Sequence, residues 1–290
     1  MSVKTPIISR RSFIRAAGLG AAGCAAICAE GYFIERERII VARRDVVLAR
    51  LEPEWNGLKV VQLSDFHYVT TDDGKLIGDA VSIANGLEPD LVVLTGDYVT
   101  VTSRSDRSAA LKAIPCAEVL SDLRAPLGIF AVLGNHDQCN PSFITRALEA
   151  HGIMVLKNFA IYVERLGKRL WVAGVDDAMF GRPLIEQTLQ SIPEGGFTIL
   201  LAHEPDYADV AKRYSVDLQL SGHSHGGQIR LPLIGAPYLP PLARKYPWGF
   251  RKLDSMSLYT NRGLGTIIVP IRLDNPPEVT LLTLRSVAGG

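Results

Sequence analysis

Histidine is the residue whose placement first points to chemistry in this sequence. The chain has 290 residues and six histidines. Five of the six follow short apolar runs, and four of these five have Asp, Asn or Gly within two positions. These five are His67, His136, His203, His223 and His225. One such histidine is usually a core residue, but five in the same setting are better explained by a metal site. Imidazole, carboxylate and amide oxygen suit Mn, Fe and Zn as ligands.

The apolar runs are the elements that must position these side chains. Each run is short and rich in Val, Ile and Leu, which is typical of a buried strand, and each ends in a polar cluster. The five runs are 58–63, 91–94, 128–133, 197–201 and 216–220. Helical patterns occur at 74–87, 105–123, 142–151, 183–191 and 205–213. The sequence therefore predicts an α/β protein with its polar clusters at the carboxyl ends of strands, where open α/β sheets bind ligands.

Further strands are expected at both ends of this domain. Residues 38–51 alternate between apolar and charged, which predicts one or two edge strands, and closing strands are expected near 266–272 and 278–284. No internal repeat or linker interrupts the pattern. We therefore predict one catalytic domain over residues 38–290, preceded by a separate segment over residues 1–37.

A bridging carboxylate would make this a two-metal site. Its two oxygens can hold two ions about 3.5–4 Å apart, and such a pair can bind one hydroxide between them and lower its pKa. The same ions would orient a phosphate and neutralise the charge on its oxygens. Gly96, Gly134 and Gly222 would let the backbone turn sharply beneath the ions.

Five motif blocks follow one another along the chain. They are Asp65-x-His67, Gly96-Asp97, Gly134-Asn135-His136-Asp137, His203 and Gly222-His223-Ser224-His225. One block alone would carry no information, but the ordered set resembles the calcineurin-like metallophosphoesterases over about residues 58–284. The stretches 226–228, 261–265 and 275–280 are similar to the bacterial exported or membrane-associated branch of that superfamily. The resemblance implies a β-sandwich of two mixed sheets flanked by helices.

The resemblance also implies a role for each motif residue. One metal would be held by Asp65, His67 and His225, the other by Asn135, His203 and His223, with Asp97 as the bridge. His136 would bind no metal; it would contact the scissile phosphate and protonate or stabilise the leaving oxygen. Many relatives carry a second Asp after Gly-Asp that supports this histidine, whereas this chain has Thr100. Asp137 would either replace that Asp or cap the next helix.

The first 37 residues are interpreted as a targeting segment, an export signal or a membrane anchor. Residues 9–15, Ser-Arg-Arg-Ser-Phe-Ile-Arg, precede an apolar run of small residues, which resembles the twin-arginine export signal. The run from Ala16 to Ile34 is nearly long enough to span a bilayer, so it is either cleaved, lipidated at Cys24 or kept as an anchor. We expect the twin-arginine export machinery as a partner. The catalytic domain would lie in the periplasm or at the outer face of the cytoplasmic membrane.

The composition argues against several other classes of protein. With 31 basic and 30 acidic residues the formal net charge is only +1, so a nucleic-acid partner is not expected. The four cysteines include no CxxC pair, and two lie in the N-terminal apolar run, so neither a cysteine zinc site nor a disulfide framework is expected. A Cys116–Cys139 bridge would need an oxidising compartment.

The expected substrate is a phosphodiester or pyrophosphate, with a lipid-linked ester as one option. The stretch 231–250 follows His225 and is rich in proline, aromatic and basic residues. It is either a connection packed on the core or a rim that meets lipid. Relatives include hydrolases of UDP-2,3-diacylglucosamine, but an outward-facing site favours a phospholipid or a periplasmic phosphoester. The alternatives are a soluble nucleotide or cyclic-nucleotide phosphodiesterase and a non-catalytic metal-binding envelope protein. Two divalent ions are expected, with Mn favoured over Fe and Zn.

Four polar residues outside the motifs also need an interpretation. His151 ends a helical pattern and precedes Gly152, which predicts a helix C-terminus. Asp176 and Asp177 follow an apolar run and are expected in a turn, because the ligand positions are already filled. Arg262 lies in a glycine-rich turn and would either bind phosphate or face solvent.

Overall fold

Two six-stranded mixed sheets lie face to face in the computed structural model, which describes residues 10–103 and 106–287. The strands are β1 (Ile40–Leu48), β2 (Lys59–Leu63), β3 (Leu91–Leu94), β4 (Ile129–Ala131), β5 (Met154–Val155), β6 (Phe159–Arg165), β7 (Lys168–Gly174), β8 (Thr198–Leu201), β9 (Leu218–Ser221), β10 (Gly249–Leu253), β11 (Met256–Thr260) and β12 (Glu278–Ser286). The helices are α1 (Arg10–Phe33), α2 (Thr71–Gly86), α3 (Ala113–Leu120), α4 (Pro141–Glu149), α5 (Ile185–Leu189) and α6 (Ala208–Ala211).

The strand order explains the layered core. The first sheet runs β1-β12-β2-β3-β4-β5 and the second runs β10-β11-β9-β8-β7-β6. Buried side chains of both sheets, such as Val93 and Ile199, form one apolar layer between them. Helices α2, α3 and α4 cover the outer face of the first sheet, and α5 and α6 cover the second. The predicted sandwich of two mixed sheets flanked by helices is confirmed.

The five apolar runs are strands β2, β3, β4, β8 and β9, as predicted. Residues 38–51 supply one edge strand, β1, which pairs in parallel with β12. In the predicted helix 105–123, residue 105 lies outside the described residues, a 3-10 turn spans Ala109–Lys112, and only the last part is α-helix.

The strand expected near 266–272 is wrong. Pro270 lacks an N–H, and Ile268 has φ +64°, which no strand accommodates. The side chain of Gln228 binds this backbone in place of a neighbouring strand, since its Nε2 donates to Ile267 O and Val269 O. The pattern of apolar residues cannot predict hydrogen bonds of this kind between a side chain and a distant backbone.

Helix α1 is long and apolar enough to cross a membrane, by its length and composition. Ser9 of the twin-arginine pattern lies outside the described residues. The end of the helix nevertheless contacts the sandwich: Arg272 N donates to Gly31 O over 3.1 Å. In the turn that follows, the buried Glu35 accepts hydrogen bonds from the backbone N–H groups of Asp274 and Asn275.

We expect Glu35→Ala to lower the free energy of unfolding by about 1–3 kcal/mol, because two backbone N–H groups would lose their acceptor. Urea unfolding of the full chain in detergent would measure the change. Glu37→Ala is the matched control in the same turn, because the Glu37 side chain is 62% exposed. Equal stability of the two variants would contradict this account of the helix end.

Candidate metal centre

Sharp backbone turns follow the strands that carry the motif residues. Five of these residues have positive φ: Asp65, His67, Asp97, His223 and His225, between +48° and +68°. Such a conformation costs about 1–3 kcal/mol for each non-glycine residue and persists only where surrounding structure enforces it. The first sheet supplies the residues up to 136 and the second sheet supplies His203, His223 and His225. The motif side chains therefore meet only where the two sheets meet.

One group of ligand atoms comes from Asp65, His67 and His225. The Nε2 atoms of the two histidines are 3.0 Å apart, and Asp65 Oδ1 is 3.5 Å from His225 Nε2. Ligand atoms that share one ion at bond lengths of about 2.0–2.2 Å stand about 3 Å or slightly more from one another. These separations therefore suit a common cation.

A second group comes from Asp97, His203 and His223. Asn135 joins it, because its Oδ1 is 3.2 Å from His203 Nε2. Asp97 also belongs to a cluster with His67 and His136, so it adjoins both groups.

Asp97 uses its two oxygens differently. Oδ1 accepts a hydrogen bond from His136 N over 2.8 Å. Oδ2 lies 3.5 Å from His67 Nε2 and 3.3 Å from His203 Nε2, between the two groups. Of the two Asp97 oxygens, only Oδ2 therefore faces both ligand groups.

Backbone carbonyls select which ring nitrogen of two histidines is free. His203 Nδ1 is 2.6 Å from Thr95 O, and His223 Nε2 is 2.8 Å from Pro241 O. A carbonyl only accepts, so those nitrogens carry the hydrogen and donate. His203 Nε2 and His223 Nδ1 remain as ligand atoms, in the way that partners of metal-binding histidines usually fix the ring.

Burial favours the neutral ring of His67 and His223, which is the form that binds a metal. It lowers the pKa of His67 to about 3 and that of His223 to about 4. Burial also raises the pKa of the Asp65 carboxyl to about 6. For Asp97 burial would do the same, but His203 and His136 outweigh it and hold the pKa well below its usual range.

His136 lies at the border of the site. It clusters with His67 and Asp97, and it is the one member of that cluster that is not buried. Its ring is partly exposed and meets the His67 ring edge-on at 4.8 Å. Its Nδ1 accepts a hydrogen bond from Val101 N over 3.0 Å. The hydrogen of the neutral ring must then be on Nε2, which can donate it.

Asp137 has neither of the roles considered for it. Its buried carboxylate accepts hydrogen bonds from the N–H groups of Asp97, Tyr98 and Gly134 over 2.8–2.9 Å. It does not cap α4. Asp137 ties the turn after β3 to the turn after β4, and it thereby fixes Asp97 relative to Asn135 and His136.

The other singled-out residues lie outside the ligand groups. Arg262 Nε lies 3.2 Å from Oε2 of buried Glu278, and the Arg262 side chain is 26% exposed. Asp176 and Asp177 accept backbone hydrogen bonds within a turn, as expected. His151 Nδ1 bonds to Ala147 O at the end of α4.

The two buried cysteines, Cys116 and Cys139, are free thiols.

A buried arginine supports the site and was missed from the sequence. Arg272 donates to the carbonyls of Arg262, Gly263 and Gly265, and Gly265 N donates to Asp65 O. Asn275 donates to His225 O. Arg272 was placed at the end of an expected strand, and Asn275 lies just after it, so neither stood in a motif block that pointed to the metal centre.

Comparison with known proteins agrees with this geometry. The family described as calcineurin-like phosphoesterase matches residues 58–227. The chain belongs to the calcineurin-like phosphoesterases. It is 34% identical to the uncharacterized metallophosphoesterase YkuE of Bacillus subtilis, over 96% of this chain and 98% of the relative. It is 32% identical to the phosphodiesterase YaeI of Escherichia coli, over 96% of this chain and all of the relative.

Membership of the calcineurin-like phosphoesterases makes this chain a phosphoric ester hydrolase of a family that uses divalent metals. A zebrafish relative, Transmembrane protein with metallophosphoesterase domain, is 30% identical over 83% of this chain and 56% of its own length. That relative and the apolar helix α1 together hint at membrane association.

Gly134→Ala tests whether close backbone approach positions the ligands. A Cβ at Gly134 would overlap Asp97 Oδ1 and the His203 ring. We expect metal affinity to fall by about 10–100-fold, as for other changes that displace a ligand. Titration with Mn²⁺ followed by metal counting would measure it.

The control for that experiment is Gly86→Ala, since a Cβ there meets nothing within 4 Å. Unchanged metal affinity in Gly134→Ala would mean that the ligands are not held by this approach.

Proposed function

We propose that this protein is a two-metal phosphoesterase that cleaves a phosphodiester or pyrophosphate. One observation carries the proposal: Asp97 Oδ2 stands 3.5 Å from His67 Nε2 and 3.3 Å from His203 Nε2, at the junction of two ligand groups. A carboxylate oxygen shared by two sets of nitrogen and oxygen ligands is suited to a pair of divalent ions.

The ligand sets divide between the two ions. Asp65, His67 and His225 would hold the first, Asn135, His203 and His223 the second, and Asp97 both. These ligands supply three oxygens and four imidazole nitrogens and no thiolate, a set that accepts Mn, Fe or Zn, and we favour Mn. Two such ions supply a hydroxide nucleophile at neutral pH and positive charge for the phosphate oxygens.

His136 would act on the leaving group. The Val101 N–H occupies Nδ1, so Nε2 presents its hydrogen at the exposed side of the site. A hydrogen-bond donor at this position can stabilise and then protonate the oxygen that leaves phosphorus. Asp137 takes no part in the proton transfer; it keeps the His136 turn in register with Asp97.

The substrate would be presented at a membrane, outside the cytoplasm. Helix α1 supports an anchored protein, and the Arg10-Arg11 pair at its start supports twin-arginine export. The catalytic domain would then lie in the periplasm or at the outer face of the cytoplasmic membrane. A lipid-linked phosphoester suits this location better than a soluble or cyclic nucleotide.

His136→Ala is expected to keep both metals and to lower kcat on bis-p-nitrophenyl phosphate by about 10²–10⁴-fold, because only the proton donor is lost. Asp97→Ala is expected to lose both metal and activity. Metal counting and assays with added Mn²⁺, on the diester and on p-nitrophenyl phosphate, would separate the two effects.

His151→Ala is the matched control, since this sixth histidine bonds within α4. Metals bound without turnover of either compound in the unaltered chain would favour a non-catalytic metal-binding protein. Wild-type activity in His136→Ala would sink the assigned role of that residue.

A further inference from the structure

Two exposed apolar segments border the metal centre. We call residues 231–238 and 266–270 the rim segments. Leu233 is fully exposed, Ile268 is 84% exposed and Ile234 is 72% exposed. Single exposed apolar side chains are ordinary, but large ones gathered beside a site mark an interaction surface.

The structure holds one rim segment in a strained shape that keeps its apolar side chains outward. Ile268 is β-branched and has φ +64°, which is unfavourable for such a residue. Gln228 enforces the shape, because its Nε2 binds Ile267 O and Val269 O while its Oε1 accepts from Ile267 N. Exposure of Ile268 is therefore built into the fold.

An apolar cavity of about 210 Å³ separates the two rim segments. Pro237 and Tyr238 lie on one side, Ile268 and Val269 on the other, and His225 lines the same cavity. The cavity therefore offers a hydrocarbon chain an apolar space between the exposed Ile268 and the candidate metal ligand His225.

The rim continues into the segment that touches helix α1. Arg272, two residues after Pro270, donates its N–H to Gly31 O, and Phe33 at the helix end is 69% exposed. A second cavity has Tyr32 and Arg36 on one side and residues 266–270 on the other. A helix of 24 residues is about 36 Å long, enough to span the hydrocarbon core, so the bilayer surface would lie at this junction.

Next to the start of the first rim segment are side chains suited to a lipid–water boundary. Arg230, just before it, stacks over the Trp248 ring at 3.6 Å. Tryptophan and arginine side chains with an apolar body and a polar tip settle at the level of the head groups.

We propose that the rim segments dock into the interface of the same bilayer that helix α1 spans, so that the metal centre opens onto lipid head groups. The substrate class that follows is a phosphoester carried by a membrane lipid, with its chain toward the cavity. That substrate clause rests on the proposed phosphoesterase function, whereas the docking does not.

The test measures membrane depth in the full chain, reconstituted in lipid nanodiscs. Cys24→Ser and Cys28→Ser remove two cysteines of α1, and a fluorophore is attached to Leu233→Cys or Ile268→Cys. Leu166→Cys is the matched control, since it is 78% exposed and lies in the β6–β7 turn, at the opposite end of the sheet from the metal centre. Nitroxide groups on the lipid chains act as quenchers.

Docking predicts that the lipid quenchers remove most of the fluorescence at 233 and 268 and little at 166, because interfacial apolar side chains lie about 5–10 Å below the head-group boundary. Equal quenching at the three positions would overturn the proposal. So would labels that are shielded from aqueous iodide yet insensitive to lipid quenchers, since that result means contact with a protein.

The same nanodiscs, with native cysteines and Mn²⁺, are assayed on bis-p-nitrophenyl phosphate. Turnover without lipid quenching would overturn the docking alone. Quenching without turnover would overturn the proposed phosphoesterase function and leave the docking supported.

Discussion

Asp65, Asp97 and four imidazoles are buried and face one another. An unpaired carboxylate in such a setting is costly, so the fold must surround it with donors or cations. Asp65 receives the His223 N–H and Asp97 receives the His136 N–H. The ligand oxygens and nitrogens that still face inward lie only 3.0–3.5 Å from one another. Cations would stabilise ligand atoms held this close together. The site therefore suits metal because of its burial as well as because of its residue types.

Holding these side chains together requires both sheets. The strained turns after β2 and β3 belong to one sheet and those after β9 to the other, and each has a ligand with positive φ. The shared apolar layer and polar contacts such as Gln62 Nε2 to Ser221 O fix one sheet against the other. Asp137 adds a local tie within the first sheet, and the His203–Thr95 hydrogen bond ties the two sheets at the site itself. Loss of packing far from the site would therefore spread the ligands apart.

The sequence was sufficient to locate five buried strands and the motif residues after them, because each apolar run ends in its own polar block, but it missed the buried strand β11. It was also sufficient for the layer order once the family resemblance was recognised. Long-range polar contacts were not accessible: the bonds of Gln228 to residues 267–269 replaced an expected strand, and Asp137 proved to be a brace rather than a cap. Those outcomes depend on which distant backbone groups a side chain reaches, and periodicity does not encode that.

Helix α1 and the first ligand group are mechanically connected. Glu35, just after α1, holds the backbone of Asn275, whose side chain binds His225 O. Arg272 is bound to the helix end through its N–H, and its guanidinium gathers the carbonyls of the loop that supports Asp65. A shift of the helix relative to the sandwich would thus reach both an Asp and a His of one ligand group. In the proposed docking, these contacts would let helix α1 set the height and orientation at which the metal centre meets the bilayer.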